Sequence, residues 1–280
     1  MDMDLSILIV HYNTPRLLRQ TLRSIRRAAP RLFYEIFVVD NNPSERLPAS
    51  LHAEFPEVHI LKSEKNIGFA SGMNQGMKAA HGRHFLIFNP DMIVLPGSLE
   101  HLTAFLDEHP SVGMVGPKLL HPDGTLQFSC YRFMKPITIV YRRLPLIDCL
   151  SCVSRELKRY LMSDWDHTSV ASVDYLLGAC LLVRREAVEE VGGFDPSYFM
   201  YFEDQDWCRR FWQAGWEVVY HPEISMIHYH RRETAEGGFF RQLFRPLTHI
   251  QLRSAWRYFR KFRGQPYSYE RKKIRSESGE

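Results

Sequence analysis

The first ninety residues of the chain alternate short apolar runs with polar tips. Residues 5–10 form an apolar run of strand length, as expected for a strand that is covered on both faces. Residues 35–39, 58–61 and 84–88 repeat this pattern, and each run gives way to polar residues. The chain therefore begins with four predicted strands that end in side chains able to bind a ligand.

Helices are predicted between these strands. Thr14 and Pro15 supply a cap and a first-turn residue, and the leucines that follow lie on one face with arginines on the others. A second helix is expected at about residues 71–80. The order of strand, polar tip, helix and strand is typical of a parallel, right-handed sheet. We therefore expect an α/β fold with a mostly parallel twisted sheet flanked by helices.

The polar tips predict a ligand site, because ligands bind outside the carboxyl ends of the strands in such sheets. We expect five tip residues to converge there, namely Asp40, Asn66, Asn74, Asn89 and Asp91. The chain has neither a Gly-rich dinucleotide fingerprint after its first strand nor a Walker A sequence. Carboxylates at the tips therefore favour a divalent cation as the group that neutralises bound phosphates.

An aromatic and acidic stretch at residues 198–210 organises the second half of the chain. Its aromatic run leads into Glu203, Asp204 and Asp206. Carboxylates in the first turn of a helix face unpaired N–H groups and the positive end of the dipole, so helix-start chemistry alone can account for them. Upstream, residues 173–183 read as one strand with Gly178 in its middle, which marks a bulge or a close backbone approach.

The remaining segments are read as follows. A helix is expected at residues 97–108 and a strand at 112–115, before an insertion at 127–172 that we place beside the site. Residues 215–220 and 224–230 read as two further strands, and the second contains His228. A histidine at a strand end is more often a hydrogen-bonded core or surface residue than a metal ligand.

Composition limits the cellular setting. Five scattered cysteines argue against a disulfide framework and for a reducing compartment, and we read Cys149 and Cys152, which form a CxxC, as ordinary thiols. No window reaches the roughly 18 apolar residues of a membrane span. We expect a cytoplasmic protein, or a peripheral one on the inner face of the cytoplasmic membrane.

The net charge of +4 is unevenly distributed. Residues 231–280 contain 13 Lys/Arg and 5 Asp/Glu, a net charge of +8, which leaves −4 for residues 1–230. Within the tail, residues 247–264 place an apolar and aromatic stripe at helical spacing among basic residues; the stripe contains Leu252, Ala255, Trp256, Phe259 and Phe262. Such a helix either packs its stripe on the rest of the protein or lies on anionic lipid. No nucleic-acid-binding module accompanies the charge.

Seven short segments together resemble glycosyltransferase family 2, the inverting enzymes with a GT-A type nucleotide-binding fold, and in particular its rhamnosyltransferase-like branch. The segments are residues 38–42, 66–74, 89–91, 177–179, 193–195, 203–206 with Arg210, and His228. They extend over about residues 5–230. The resemblance implies a GT-A domain at 1–230, with a nucleotide-sugar-binding half at 1–116 and an acceptor and catalytic half at 117–230. A basic amphipathic helical tail follows at 231–280.

The resemblance also implies roles for individual residues. The donor-binding residues would be Tyr12, Asp40, Asn66, Gly72, Asn74, Asn89 and Asp91, with Gly72 allowing close backbone approach. Asp91 and His228 would bind Mn²⁺ or Mg²⁺. Asp204 would be the general base, and four residues would orient it or the acceptor, namely Gly178, Glu203, Asp206 and Arg210. The sequence departs from the family's Asp-x-Asp at Asn89, which removes one negative charge.

By this resemblance, the expected function is metal-dependent transfer of one sugar, with inversion, to a polysaccharide or lipid-linked saccharide. The first-ranked donor is dTDP-L-rhamnose. One alternative is a UDP-linked hexose or galactofuranose, and another is a non-catalytic nucleotide-sugar-binding protein at a membrane surface. The acidic residues and His228 favour an enzyme, whereas Asn89 keeps the binding protein open.

Overall fold

A computed structural model of the chain describes residues 3–143, 150–229 and 246–265. Cys149, the first cysteine of the CxxC, lies outside these ranges, as does most of the basic tail. The strands are β1 (Leu5–His11), β2 (Tyr34–Asp40), β3 (Val58–Lys62), β4 (His84–Phe88), β5 (Met92–Ile93), β6 (Val112–Leu120), β7 (Leu126–Gln127), β8 (Cys130–Tyr131), β9 (Ala171–Ser172), β10 (Tyr175–Leu176), β11 (Cys180–Arg184) and β12 (Glu217–His228). The helices are α1 (Pro15–Ala28), α2 (Ala49–Glu54), α3 (Gly68–Ala79), α4 (Ser98–Glu108), α5 (Pro136–Tyr141), α6 (Ser151–Leu161), α7 (Arg185–Val191), α8 (Glu203–Gln213) and α9 (Pro246–Lys261).

One large sheet carries the fold. Its strand order is β3-β2-β1-β4-β11-β6-β12-β5, and the four strands β3, β2, β1 and β4 are parallel. β11 runs antiparallel between β4 and β6, and β12 returns parallel to β6. The expected mostly parallel α/β sheet is thereby confirmed. The sheet also continues through residue 116, so the two expected halves of the domain share it.

Helices cover both faces of this sheet, which explains why its central strands β1, β4 and β11 are mainly apolar. On one face, α1, α2 and α4 pack against the strands through residues such as Leu22, Leu51 and Leu102. On the other face, α3, α7, α8 and α9 contribute residues such as Met73 and Trp207. Because the first strands are parallel, their carboxyl ends lie at one edge, where His11 is opposite Asp40 and Ile9 is opposite Phe88.

Two strand predictions are corrected by the structure. Residues 173–183 are not one strand, because the chain turns at Gly178 between β10, which pairs with β8, and β11, which enters the main sheet. The two strands predicted at 215–220 and 224–230 are one strand, β12. Its ladder is irregular between His221 and Ser225, where Pro222 cannot donate a backbone hydrogen bond.

The C-terminal helix α9 packs on the domain with one part of its apolar stripe. Tyr258 is fully buried, and its hydroxyl accepts a hydrogen bond from Arg209 of α8 at 3.2 Å. Lys261 reaches two carboxylates, Asp206 at 2.6 Å and Asp195 at 2.9 Å. The other part of the stripe faces outward, since Trp256 is 60% exposed. Within the described ranges, no helix combines the length and the apolar character needed to cross a membrane.

The packing of α9 predicts unequal effects for two aromatic substitutions. We expect Tyr258→Ala to lower the free energy of unfolding by about 3 kcal/mol or more, because it leaves a cavity against α8. Trp256→Ala on the exposed face serves as the control, with an expected change within about 0.5 kcal/mol. Urea unfolding of both variants measures the difference, and equal losses would show that α9 is not packed as described.

Candidate active site

Asp40 organises the loop after β2. Its carboxylate is buried and accepts hydrogen bonds from the N–H groups of Asn42 at 3.3 Å and Leu47 at 3.2 Å. His11, at the end of β1, lies 3.5 Å away through Nδ1 and accepts the N–H of Thr14 on Nε2 at 3.1 Å. Burial lowers the pKa of His11 although Asp40 opposes the shift, so the imidazole is neutral. His11 thus accepts the N–H of Thr14 at the start of α1, whereas the Thr14 side chain does not form the expected cap.

An open pocket lies beside this pair. Its volume is about 130 Å³, and its walls include His11, Asn42 and Arg46. Tyr12, at the tip of β1, is 48% exposed. The pocket therefore lies at the sheet edge where the polar tips were predicted.

Asn41 fixes the loop that precedes α3. Its amide nitrogen donates to the carbonyl of Gly68 at 2.9 Å and to the side-chain oxygen of Asn66 at 3.2 Å, and its own oxygen accepts the N–H of Ile67 at 3.2 Å. The side-chain oxygen of Asn66 also accepts the N–H of Gly68 at 3.0 Å. Asn66 therefore lies at the expected tip, where its oxygen holds the loop together.

Gly72 and Asn74, both expected beside a donor, make contacts within the protein. A Cβ added at Gly72 would lie 2.8 Å from Val10 Cγ2, so this glycine lets α3 approach β1. Asn74 donates to the carbonyl of Phe194 at 2.7 Å and accepts its N–H at 2.8 Å. Both ends of this amide thus hold the turn at residues 193–194, which leads towards α8.

Asp91 and His228 are brought together by the pairing of two strands. β5 pairs antiparallel with β12 so that His228 is opposite Met92, and the N–H of Tyr229 donates to the carbonyl of Asp91 at 2.9 Å. Asp91 Oδ1 then lies 3.3 Å from His228 Nε2. The two residues predicted to share a metal ion are therefore in contact, although 137 positions separate them in the chain.

Gln127 determines which nitrogen of His228 faces Asp91. His228 Nδ1 lies 3.1 Å from the side-chain oxygen of Gln127, which can only accept a hydrogen bond. In the neutral ring, Nδ1 therefore carries the proton and Nε2 presents its lone pair towards the Asp91 carboxylate. Histidine metal ligands are commonly held in this way by a hydrogen bond to the other ring nitrogen. Sequence reasoning missed Gln127, which belongs to no recognisable motif.

The donor atoms of Asp91 and His228 fit a divalent cation. Small divalent cations hold their ligands at about 2.0–2.1 Å, so that neighbouring ligands lie about 3 Å apart. The separation of 3.3 Å between Oδ1 and Nε2 is close to this value. In the part of the chain that the structure describes, no cluster of three His, Cys, Asp or Glu side chains could hold a metal ion. Asp91 and His228 are thus a pair of candidate ligands, and their binding of a metal ion stays a prediction.

The turn before α8 has an unusual backbone. Tyr201 and Phe202 have φ angles of 70° and 69°, a left-handed conformation that is rare for bulky residues. Phe202 is buried against the rings of Tyr258 and Phe259 of α9, with centroids 5.4 and 6.0 Å away. Ser254 of α9 donates to the carbonyl of Met200 at 2.9 Å. Contacts with α9 therefore support the strained turn that starts the helix at Glu203.

Asp204 is held by two backbone N–H groups at the start of α8. Gly178 donates to Oδ2 at 3.2 Å and Gln205 donates to Oδ1 at 2.8 Å. A Cβ at Gly178 would lie 3.4 Å from that of Asp204, which confirms the close approach expected at this glycine. The next residue, Ala179, accepts the N–H of Asn89 at 2.9 Å. Gly178, which donates to Asp204, and Ala179, which accepts from Asn89, are neighbours in the chain and so connect Asp204 to the Asn89–Asp91 tip.

Burial raises the pKa values of two neighbouring acids, Glu203 and Asp204. Burial raises the pKa of Asp204 to about 6, while its backbone hydrogen bonds oppose the shift. The pKa of Glu203 is raised further, first by burial and then by the charges of Asp204 and Asp206. Burial therefore favours the protonated form of Glu203, whereas Asp204 is mainly ionised at neutral pH.

Asp206 and Arg210 pair with each other and hold α8 in place. Arg210 Nε lies 2.8 Å from Asp206 Oδ1, and its two terminal nitrogens donate to the carbonyls of Val191 at 2.9 Å and Gly193 at 2.7 Å. Asp206 is fully buried and also binds Lys261. Both residues were expected to orient Asp204. Their contacts with residues outside α8 fix the position of the helix that carries Asp204.

Two tyrosines of the insertion at 127–172, Tyr131 and Tyr160, stack with Tyr175 of β10 beside Asp204. The ring of Tyr131 stacks on those of Tyr160 and Tyr175, each at 5.1 Å, and the two latter hydroxyls are 2.6 Å apart. Burial raises the pKa of all three phenols, and the nearby charge of Asp204 raises it further. This aromatic wall was not predicted, because its residues are far apart in the sequence.

Comparisons with known proteins agree with the family that the sequence motifs resemble. A sequence model described as "Glycosyl transferase family 2" matches residues 6–192, which end before Asp204 and His228. An N-acetylglucosaminyl-diphospho-decaprenol L-rhamnosyltransferase of Mycobacterium tuberculosis is 28% identical over 254 residues, covering 82% of this chain and 77% of the relative. Rhamnosyltransferase WbbL of Escherichia coli is 40% identical over 86 residues, covering 31% of this chain and 30% of the relative.

Solved structures show the same fold. The crystal structure of GalNAc-T7 with UDP, GalNAc and Mn²⁺ superposes with a TM-score of 0.62 at 17% identity. The match covers 83% of this chain and 44% of that one, so the present chain spans less than half of this structural neighbour. At this level of identity the likeness concerns the fold.

Proposed function

The chain belongs to glycosyl transferase family 2, and we propose that it transfers L-rhamnose from dTDP-rhamnose, with inversion, to a lipid-linked or polysaccharide acceptor in a metal-dependent reaction. That it is a glycosyltransferase follows from the family. The observation that carries the mechanism is the convergence of Asp204 and the Asn89–Asp91 tip through Gly178 and Ala179. Rhamnose is the proposed sugar because two of the relatives are named rhamnosyltransferases.

The nucleotide is proposed to bind at the ends of β1 and β2. The pocket beside His11, Asn42 and Arg46 suits the pyrimidine end, next to the carboxylate of Asp40. Asn66 shapes the adjacent loop, and the exposed Tyr12 is available to cover the nucleoside. In this proposal, Gly72 and Asn74 act indirectly, by seating α3 and the turn at 193–194. A UDP-linked hexose or galactofuranose remains the competing donor.

The diphosphate is proposed to lie beside Asp91 and His228. These two side chains would hold Mn²⁺ or Mg²⁺, and oxygen atoms of the donor would complete its coordination. The ion, when bound, supplies Lewis-acid stabilisation of the leaving diphosphate. Asn89 lies where the family has a first carboxylate, so we assign it a hydrogen bond to the sugar or ribose.

Asp204 is proposed as the general base that takes the proton of the acceptor hydroxyl. The hydroxyl oxygen attacks the anomeric carbon from the face opposite the diphosphate, so the configuration inverts without a covalent sugar intermediate. A pKa of about 6 keeps Asp204 mainly ionised at neutral pH while leaving it more basic than an exposed aspartate. Protonated Glu203 adds no second charge beside it.

The base role predicts a large loss of rate and a defined pH profile. Asp204→Asn should lower turnover by about 10²–10⁴-fold, because the acceptor proton loses its positioned base. In the wild type, the ionised fraction of Asp204 increases as the pH rises through about 6. We therefore expect kcat/KM to increase with pH up to about 6 and to level off at higher pH. The assay measures nucleotide diphosphate release from dTDP-rhamnose and from UDP-sugars, with a short-chain N-acetylglucosaminyl diphospho-prenol as acceptor and Mn²⁺ present.

A matched control for this variant is Asp123→Asn, which removes a carboxylate in the exposed turn after β6 and should leave turnover unchanged. Equal turnover in the wild type and Asp204→Asn would remove Asp204 from the reaction. Release from a UDP-sugar but not from dTDP-rhamnose would replace the proposed donor.

Metal binding should depend on Gln127. Gln127→Ala removes the acceptor that fixes the His228 ring, and we expect Mn²⁺ affinity in the presence of dTDP to fall by about 10–100-fold. Ser129→Ala, which alters another buried side chain of the same segment, is the control. Calorimetric titration with Mn²⁺ measures the affinities. Unchanged affinity in Gln127→Ala would contradict the assignment of His228 as a ligand.

The exposed face of α9 is proposed to bind an anionic membrane surface. Leu252 and Trp256 are exposed, and Arg260 stacks on the ring of Trp256 at 4.3 Å. An aromatic residue surrounded by arginines suits the headgroup region of a bilayer, where each basic residue contributes about 1 kcal/mol. A lipid-linked acceptor would be found at such a surface.

This proposal predicts that the outward side chains control vesicle binding. The double variant Leu252→Ser/Trp256→Ser should lose most sedimentation with phosphatidylglycerol-containing vesicles, since it removes the apolar contact while keeping the packed face of α9. Phe33→Ser, at another exposed aromatic residue, is the control. Sedimentation equal to that of the wild type in the double variant would refute the membrane contact.

A further inference from the structure

A second cavity lies outside the site discussed so far. Its volume is about 360 Å³, and it separates α9 from the loops that precede α3 and α8. Ile67 and Phe199 form one side of the cavity, and Ile250, Arg253 and Arg257 of α9 form the other. Ligand pockets commonly begin at about 300 Å³, so this cavity has room for a headgroup.

The charge of this cavity is positive. Arg253 and Arg257 are one helical turn apart on the same side of α9. Within residues 3–143, 150–229 and 246–265, no carboxylate lies within ion-pair distance of either guanidinium. The nearby Asp195 is engaged by Lys261 at 2.9 Å and by the N–H of Ser197 at 3.0 Å. The two arginines are therefore available to an anionic ligand.

The cavity adjoins the proposed active site. The carbonyl of Phe199, a residue in its wall, accepts the N–H of Phe69 at the start of α3 at 2.8 Å. A Cβ at Gly68 would lie only 2.3 Å from that oxygen, so the two loops are in direct contact. The segment from Phe199 continues through Phe202 into the helix that carries Asp204. The cavity thus borders the nucleotide loop through Phe199, and the chain continues from Phe199 to the helix that carries the proposed base.

We propose that this cavity binds the phosphate groups of a lipid-linked saccharide acceptor; this inference rests on the proposed function. Guanidinium groups bind phosphate oxygens through paired hydrogen bonds, and two of them suit a diphosphate. Ile67, Phe199 and Ile250 offer apolar contact to the first part of the lipid chain. The rest of the chain would leave past Leu252 and Trp256, which lie on the neighbouring, exposed side of α9.

Two features favour this ligand over the diphosphate of the donor. The donor phosphates already have a place beside Asp91 and His228, which suit a cation-bridged diphosphate. Among the described residues, the wall of the α9 cavity contains cationic arginines and no carboxylate or histidine, so it suits direct binding of an anion. A free phosphate would gain nothing from the apolar side chains of the cavity, whereas a prenyl chain would cover them and remove them from water.

Farnesyl diphosphate is a suitable probe, because it carries a diphosphate and a short prenyl chain. We expect calorimetric titration of the full chain, saturated with dTDP and Mn²⁺, to show binding of farnesyl diphosphate at least about tenfold tighter than binding of pyrophosphate or farnesol. The double variant Arg253→Gln/Arg257→Gln should weaken farnesyl diphosphate binding by about tenfold or more. Arg27→Gln, at an exposed arginine of α1, should leave it unchanged.

Three results would overturn the assignment. Equal affinity for pyrophosphate and farnesyl diphosphate would show a simple anion site, and equal affinity for farnesol would show a simple apolar one. Equal binding by the wild type and the Arg253→Gln/Arg257→Gln variant would place the probe elsewhere. Release of nucleotide diphosphate by the wild type is measured in parallel with the short-chain N-acetylglucosaminyl diphospho-prenol as acceptor. If farnesyl diphosphate binding does not depend on the two arginines while donor release is intact, this inference alone is refuted. Absent donor release refutes the proposed function.

Discussion

The position of Asp204 depends on a close approach between the turn at Gly178 and the first turn of α8. A Cβ at residue 178 would lie 3.4 Å from that of Asp204, and the N–H of Gly178 donates to its carboxylate. Since Ala179 also accepts the N–H of Asn89, the same turn connects α8 to the end of β4. The break between β10 and β11 is therefore what places an acid from residue 204 beside a tip at residues 89–91. An unbroken strand through residue 178 would carry the backbone past this point.

Three carboxylates within four residues of α8 are accommodated in three different ways. Burial and the neighbouring charges raise the pKa of Glu203, which favours its neutral form. Arg210 and Lys261 form ion pairs with Asp206. Burial raises the pKa of Asp204 to about 6, while hydrogen bonds from backbone N–H groups oppose this shift. The C-terminal helix thus contributes to the electrostatics of the site, since Lys261 is one of the two cations that compensate Asp206.

The sequence was most informative where chemistry and periodicity coincided. Strand runs that end in polar tips predicted the parallel sheet, and the resemblance to a family identified Asp91 and His228 as a pair that the fold brings together. Spacing does not show which side of a helix faces a ligand. Gly72 and Asn74 contact Val10 and Phe194, and their place beside the donor stays a prediction. Gln127 and Lys261 were missed for a different reason. Each acts through one long-range contact, and a lone amide or lysine has no local pattern that predicts its partner.

The tail shows how one helix can meet several demands at once. A stripe of apolar residues at helical spacing suggested a choice between packing on the protein and lying on lipid. In the structure the stripe divides, because Ala255, Tyr258 and Phe262 turn inward while Leu252 and Trp256 remain exposed. Arg253 and Arg257 occupy the side between these faces, next to the cavity. A helix that only filled the core would need no exposed tryptophan, and one that only lay on lipid would not bury Tyr258 against the catalytic helix. The arrangement is the one expected if the acceptor reaches Asp204 along the boundary between protein and membrane.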